Sequence, residues 1–286
     1  MSQTECMSYH SGYLDLMAKN WCPVTGRRSR AQTDSPQRAD TRSWNASVAG
    51  RSGVAAHLLK HRCDAAAERP YVAASVVSSD DGRPALHAHE PERLGEVEAV
   101  DGALRDEADA VLVDAGALRG GHFERPLADP ARREQRGGHG LTLDPIGIVV
   151  SRSESGVPAL AGAADATAPV LVYTDAADPL SAPCGVKLTR MASSDLRPRA
   201  VLAHARREYG VRTVVYEGGT QMLGALQAEG ALDEVVLTIV PGIEPDPRQP
   251  AITELPGLSE LAANRVWETD ASETVLRLHP EPQATA

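Results

Sequence analysis

From Pro70 onward the chain is punctuated by short runs of apolar, mostly β-branched residues. YVAASVVS (71–78) is Val-rich and ends in the turn signal Asp80-Asp81-Gly82, which predicts a strand. AVLVDAG (110–116), IGIVVS (146–151), VLVYT (170–174) and TVVY (213–216) predict four more, each continuous rather than alternating. Continuous Val/Ile runs belong to strands covered on both faces, as in a parallel sheet with flanking helices. Residues 91–108 are charged, with apolar positions at Leu94, Val97, Val100 and Leu104, a helical spacing. Helices also fit 198–209 and 219–229, DEVVLTIVP (233–241) fits a long strand, and residues 265–279 read as an antiparallel hairpin. The predicted class is α/β: a three-layer sandwich with a mainly parallel sheet and an antiparallel C-terminal hairpin. Residues 120–145, rich in Gly, Arg, Pro and Asp, read as a loop or lid.

The first 69 residues differ in kind. GRRSRAQTDSPQRADTRSWNAS (26–47) has neither helical nor alternating periodicity and contains Pro36. The expected organisation is a disordered or weakly structured extension over 1–69, with a short helix near Val54–His61, and one domain over 70–286. Charge follows the same divide. The first 69 residues carry a balance of +4 and the remainder −14, within a net charge of −10. An acidic body without a basic stripe argues against nucleic acid and anionic membrane as partners. No run approaches the ~20 apolar residues that span a bilayer, and the N-terminus lacks the apolar stretch of a secretory signal. The expectation is a cytoplasmic protein with a small-molecule substrate. The ratio of 26 arginines to three lysines reads as genome composition rather than as a device.

Cys6, Cys22 and Cys63 lie in the first 69 residues and only Cys184 in the body, without the regular spacing of a disulfide framework. Cys22, His57, His61 and Cys63 offer a zinc site, with His57 and His61 at i, i+4 on one helix face; the alternative is an unstructured leader with scattered ligand-type residues. Lacking a CxxC knuckle, the expectation is no metal.

The most informative stretch is Thr213-Val-Val-Tyr-Glu217-Gly218-Gly219-Thr220-Gln221-Met222-Leu223-Gly224. A buried strand ends in Glu217, passes two glycines and opens into a helix. Free N–H groups at a helix start, approached closely through glycine, suit a phosphate. A tight strand-to-helix turn with glycine for geometry alone is the alternative reading. A Walker loop and GxGxxG are both absent.

RPYVAASVVSSDDG (69–82), ALRDEADAVLVDAGALR (103–119) and YEGG…LGAL…GALDEVVLTIVPGI (216–243) fall in the order and spacing of one family. Over about residues 69–279 the chain resembles the reductase domain of the riboflavin-pathway deaminase–reductase, whose fold is like that of dihydrofolate reductase. No deaminase zinc signature precedes it, so the match is to the reductase half. The resemblance implies hydride transfer from NADPH to the sugar carbon of a ribosylamino-pyrimidine phosphate, in the riboflavin pathway or a diverted one. It implies Asp81 and Glu217 as catalytic, and Ser79, Arg105 and Glu217 as substrate contacts. Gly116, Ala117 and the loop Gly218, Gly219, Thr220, Gln221, Met222, Leu223 and Gly224 would hold the cofactor. Ser151 and Arg152, after the IGIVV strand, would meet the adenosine 2′-phosphate. Homodimers are common in the family and are carried over as an expectation. The chain departs from the family pattern where Asp114-Ala115-Gly116-Ala117 replaces a Gly-x-Gly-Thr motif and where Ser75 replaces an asparagine. Asp114 thereby adds negative charge beside the expected dinucleotide path. A degenerate member that binds a nucleotide or a partner without reducing anything is the alternative.

Overall fold

A computed structural model of the chain describes residues 58–62, 67–84, 95–114, 129–152, 169–176, 185–258, 262–268 and 273–279. The expected apolar runs form β1 (Tyr71–Ser78), β2 (Ala110–Asp114), β3 (Ile146–Val150), β4 (Val170–Thr174), β6 (Thr213–Glu217) and β7 (Glu234–Ile239). With β5 (Val186–Arg190), β8 (Ala262–Glu268) and β9 (Thr274–His279) they make one sheet of nine strands, ordered β5-β4-β3-β2-β6-β1-β7-β9-β8. Strands β1 to β7 are mutually parallel, and β9 pairs antiparallel with both β7 and β8.

Helices cover both faces. On one, Ala73, Val215 and Val236 pack with Leu58 of α1 (Leu58–His61) and with Val100 and Leu104 of α2 (Gly95–Glu107). Helix α3 (Pro130–Gly138) lies against α2, held by Arg132, whose Nε donates to Asp106 and whose Nη2 donates to the Gly102 carbonyl. On the other face, Val72, Ala74, Leu112, Ile148 and Tyr216 pack with Val201 and Leu202 of α4 (Pro198–Tyr209) and with Leu223 and Leu226 of α5 (Thr220–Ala228). The expected three-layer α/β class, with a mainly parallel sheet and an antiparallel C-terminal pair, holds. The continuity of the strands has the expected cause, since every residue of β3 and β4 is buried.

Two elements escaped the sequence. Helix α3 lies inside the stretch read as a loop or lid. Its start signals were there, Asp129 capping the Ala131 amide at 2.9 Å and Pro130 in the first turn. Its apolar stripe was not, because the residue it buries completely is Arg136. Strand β5 is an edge strand with Lys187 and Arg190 exposed, so its VKLTR run lacks the apolar density of its neighbours.

The short helix expected near Val54–His61 is α1, within the segment assigned to the extension. Leu58 has no solvent exposure, the His61 ring stacks on Tyr71 at 3.7 Å, and the Arg62 guanidinium lies 3.0 Å from Asp109. Among the described residues no group of three or more His, Cys, Asp or Glu could hold a metal, and no helix is long and apolar enough to cross a membrane. Of the zinc candidates only His61 is described; Cys22, His57 and Cys63 lie outside the described residues.

Because Leu58 is fully buried against α2 and the sheet, Leu58→Ala is expected to lower stability by about 2–5 kcal/mol in chemical denaturation. An unchanged midpoint would mean that α1 is not docked on the body.

Candidate active site

Parallel order brings the carboxyl ends of β1 to β7 to one edge. Helix α2 follows β1 on one face, while α5 follows the neighbouring strand β6 on the other. Helices leaving adjacent strands in opposite directions open a crevice between them at the carboxyl edge, the position where open α/β sheets bind ligands. Glu217 to Thr220 form one side of it and Ser79 to Arg83 the other.

The chain leaves β1 through a tight turn. Gly82 has φ +77° and donates its N–H to the Ser79 carbonyl at 3.0 Å, a conformation that disfavours any side chain. Asp81 Oδ1 accepts from the Ser79 hydroxyl at 2.5 Å and from the Arg83 amide at 3.0 Å. These hydrogen bonds, the Ser79 hydroxyl first, hold the Asp81 carboxyl below its ordinary 3.8. Asp81 is therefore a half-exposed, ionised carboxylate at neutral pH, better suited to steadying a positive charge than to donating a proton.

Arg105 and Glu217 meet. The guanidinium spans the carboxylate in a two-pronged ion pair, Nε to Oε1 at 2.6 Å and Nη2 to Oε2 at 2.5 Å. Both are largely buried, with 20% and 11% of their side chains exposed. Sequence reasoning assigned the two to the substrate separately and missed that they bind one another. One turn earlier on α2, Asp101 accepts from the Ser75 hydroxyl at 2.5 Å, so β1 and β6, adjacent at Ser75 and Glu217, are tied to the same helix. Arg136, fully buried, supports the arrangement by donating to the carbonyls of Arg105 and Ala108 at the end of α2. Burial lowers its guanidinium to about 10, still protonated at neutral pH.

The glycine loop is tightly built and already occupied. A Cβ on Gly218 would lie 2.5 Å from the Tyr216 hydroxyl, so glycine is required there by the chain's own phenol. That hydroxyl donates to the Gly219 carbonyl at 2.7 Å, with Asp114 Oδ2 at 3.2 Å as a second acceptor. Burial first, then Asp114, keeps the phenol protonated well above its usual range. The Gly219 amide donates to Asp114 Oδ2 at 3.0 Å, and the Thr220 amide and hydroxyl both donate to Gln249 Oε1, at 3.2 and 2.5 Å. Gln249 in turn offers its carbonyl to Arg83 Nη1 at 2.7 Å. A continuous hydrogen-bonded chain thus crosses the edge from the β1 turn to the end of β2. Of the remaining loop residues, Gln221 is exposed, Leu223 belongs to the core, and Gly224 lies within α5, its Cβ position 3.9 Å from Leu255.

At the end of β3, Ser151 is buried and Arg152 is 66% exposed, its Nη1 a long 3.4 Å from Asp175 at the end of β4. Gly116 and Ala117 lie outside the described residues, as does Cys184. Sequence reasoning missed Tyr216, Gln249 and Asp101. Asp114 was noticed for its charge, but nothing local signals its partner, which lies 105 residues away.

The RibD C-terminal domain model matches residues 70–276. No curated protein matches the chain. Among solved structures, a pyrimidine reductase-like protein of Corynebacterium diphtheriae is 18% identical, with a TM-score of 0.56 over 75% of this chain and 93% of that one. RibD of Acinetobacter baumannii is 18% identical, with a TM-score of 0.53 over 75% of this chain and 59% of that one. The diaminohydroxyphosphoribosylaminopyrimidine deaminase/5-amino-6-(5-phosphoribosylamino)uracil reductase of Thermotoga maritima is 19% identical, with a TM-score of 0.51 over 74% and 57%. At these identities the likeness is one of fold.

The Arg105–Glu217 pair makes a measurable demand on stability. Removing one partner, as in Arg105→Met, leaves a largely buried charge and is expected to cost about 3 kcal/mol. Arg105→Met combined with Glu217→Leu is expected to recover most of that loss. Additive losses in the double-mutant cycle would rule out the coupling.

Proposed function

The chain belongs to the RibD C-terminal domain family, a family of reductases, and from that premise we propose that it reduces a pyrimidine or related heterocycle carrying a sugar phosphate, with NADPH as cofactor, in the riboflavin pathway or a diverted one. The observation that carries this reading is the gathering of Asp81, Arg105, Glu217 and Arg152 along one sheet edge. From β3 to β1 is three strand spacings, roughly 14 Å, a span that suits an extended dinucleotide with its substrate.

The fit of a nicotinamide dinucleotide differs along this edge. At the β3 end it is good: Arg152 is exposed and only weakly held, and its planar fork suits a 2′-phosphate. At the loop, the amides of Gly219 and Thr220 are free for phosphate only once Asp114 and Gln249 turn away. When bound, the nicotinamide would supply the hydride that ends on the sugar carbon, and the neighbouring nitrogen would take its proton from water. The chain's own part is electrostatic. Asp81, held ionised by Ser79 and Arg83, steadies the positive charge of a protonated imine. Arg105 attracts the sugar phosphate in competition with Glu217, which keeps the guanidinium aimed until substrate arrives.

The second reading, a member that binds a nucleotide or partner without reducing anything, is favoured by one observation: the Asp114 carboxylate on the loop. Single-turnover oxidation of NADPH with a ribosylamino-pyrimidine phosphate separates the two. No oxidation with any such substrate would leave the second reading.

Two variants test the roles. Arg152→Ala is expected to weaken NADPH binding about 10- to 100-fold, a contact of roughly 1.5–3 kcal/mol, and to leave NADH binding unchanged. Equal weakening of both would remove Arg152 from the 2′-phosphate. Asp81→Asn keeps the turn and loses the charge, so the single-turnover rate is expected to fall by roughly 10²–10³ with NADPH affinity unchanged. Because the Asp81 carboxyl is lowered, its contribution is expected to persist from neutral pH down past pH 4 and to fade only below its depressed pKa. Loss of rate between pH 7 and 5 would assign the limiting group elsewhere.

A further inference from the structure

We propose that Asp114 is a specificity-determining residue of the glycine loop: its carboxylate stands on the Gly219 amide in the place of a nucleotide diphosphate, and so sets how tightly a diphosphate-linked cofactor binds. This rests on the reading of the edge as a nicotinamide dinucleotide site.

Three observations carry it. The first is occupancy. The amides that open α5 are the groups a diphosphate would use, and Asp114 Oδ2 holds the Gly219 amide at 3.0 Å while Gln249 Oε1 holds that of Thr220 at 3.2 Å. The second is space. A Cβ built on Gly219 would make ordinary contact with Asp114 Oδ2 and Gln249 Nε2, each at 3.6 Å, so these two side chains line the space directly above the glycine. The third is tethering. Asp114 is the last residue of β2, its Cα paired with Val150 of β3, and its short side chain also has the Tyr216 hydroxyl within 3.2 Å. Gln249 has a longer side chain and no charge, so it yields more readily. A dinucleotide has to displace an anion that is fixed to the sheet, and any phosphate left nearby is repelled by it.

The simpler account makes Asp114 only a brace between β2 and α5. Asp114→Asn distinguishes the two, because the amide carbonyl still accepts from Gly219 while the charge is gone. Titrations of NADPH, NADH, inorganic pyrophosphate and adenosine 2′-phosphate are made by calorimetry on wild type, Asp114→Asn and Asp114→Gly. The expected result is at least a tenfold gain in affinity for NADPH, NADH and pyrophosphate in either variant. Adenosine 2′-phosphate, which has no diphosphate, should bind as in wild type. If wild type binds NADPH and neither variant binds it more tightly, the proposal is overturned while the dinucleotide reading stands. A parallel gain for adenosine 2′-phosphate marks a general change in the edge and also overturns it. If neither wild type nor the variants bind any nicotinamide nucleotide, both the proposal and the dinucleotide reading fail. Should Asp114→Asn be unstable, Asp114→Gly carries the same comparison.

Discussion

A strand buried on both faces has room for polar side chains only near its ends, and this constraint distributes the chemistry of the protein. All five residues of β3 and of β4 are buried, as are seven of eight in β1. With β1 to β7 parallel, the groups that can meet a ligand are collected at one edge. The crossovers decide where along that edge the opening lies. It falls beside β6, because α2 and α5 leave neighbouring strands on opposite faces.

Among the described residues, several of the carboxylates that enter the interior are held by arginine. Glu234, fully buried, is gripped by Arg277 at 2.6 and 2.9 Å and accepts from Tyr71 at 2.8 Å; Asp144, 1% exposed, is held by Arg133. Arg69 holds Asp233 in the same two-pronged way, at 2.6 and 2.9 Å, where β1 begins. A planar fork satisfies both oxygens of a carboxylate at once, which a lysine ammonium does not. Whatever the origin of the arginine-rich composition, the fold uses it, and the Arg105–Glu217 pair is the instance that faces the crevice.

The crevice is closed by its own hydrogen bonds. The run from Asp81 through Arg83, Gln249, Thr220 and Gly219 to Asp114 joins the ends of β1, β6 and β2 into a preformed rim. Such a rim is rigid where strands anchor it, at Asp114 and Tyr216, and looser where loops do, at Gln249. At the glycine loop a ligand therefore meets the Gly219 and Thr220 amides already engaged, and selectivity there resides in which partner gives way.

Much of this was legible in the residues alone. Continuous Val runs determined the parallel, doubly covered sheet, because alternation is lost when both faces are buried, and the ends of β1, β3 and β6 marked the edge. The glycine pair marked a close approach, but not of what. Gly218 answers to the Tyr216 phenol, and the loop amides to Asp114 and Gln249. The pairing of Arg105 with Glu217, 112 residues apart, and of Asp114 with Gly219, 105 apart, belongs to tertiary structure. The reason is physical: a hydrophobic period is a local property that repeats along the chain, whereas an ion pair is one contact between two ends of elements whose meeting depends on strand order. Helix α3 and strand β5 were missed for the same reason. One buries an arginine and the other stands at the sheet's edge, so neither carries the apolar repeat that the rest of the sheet writes into the sequence.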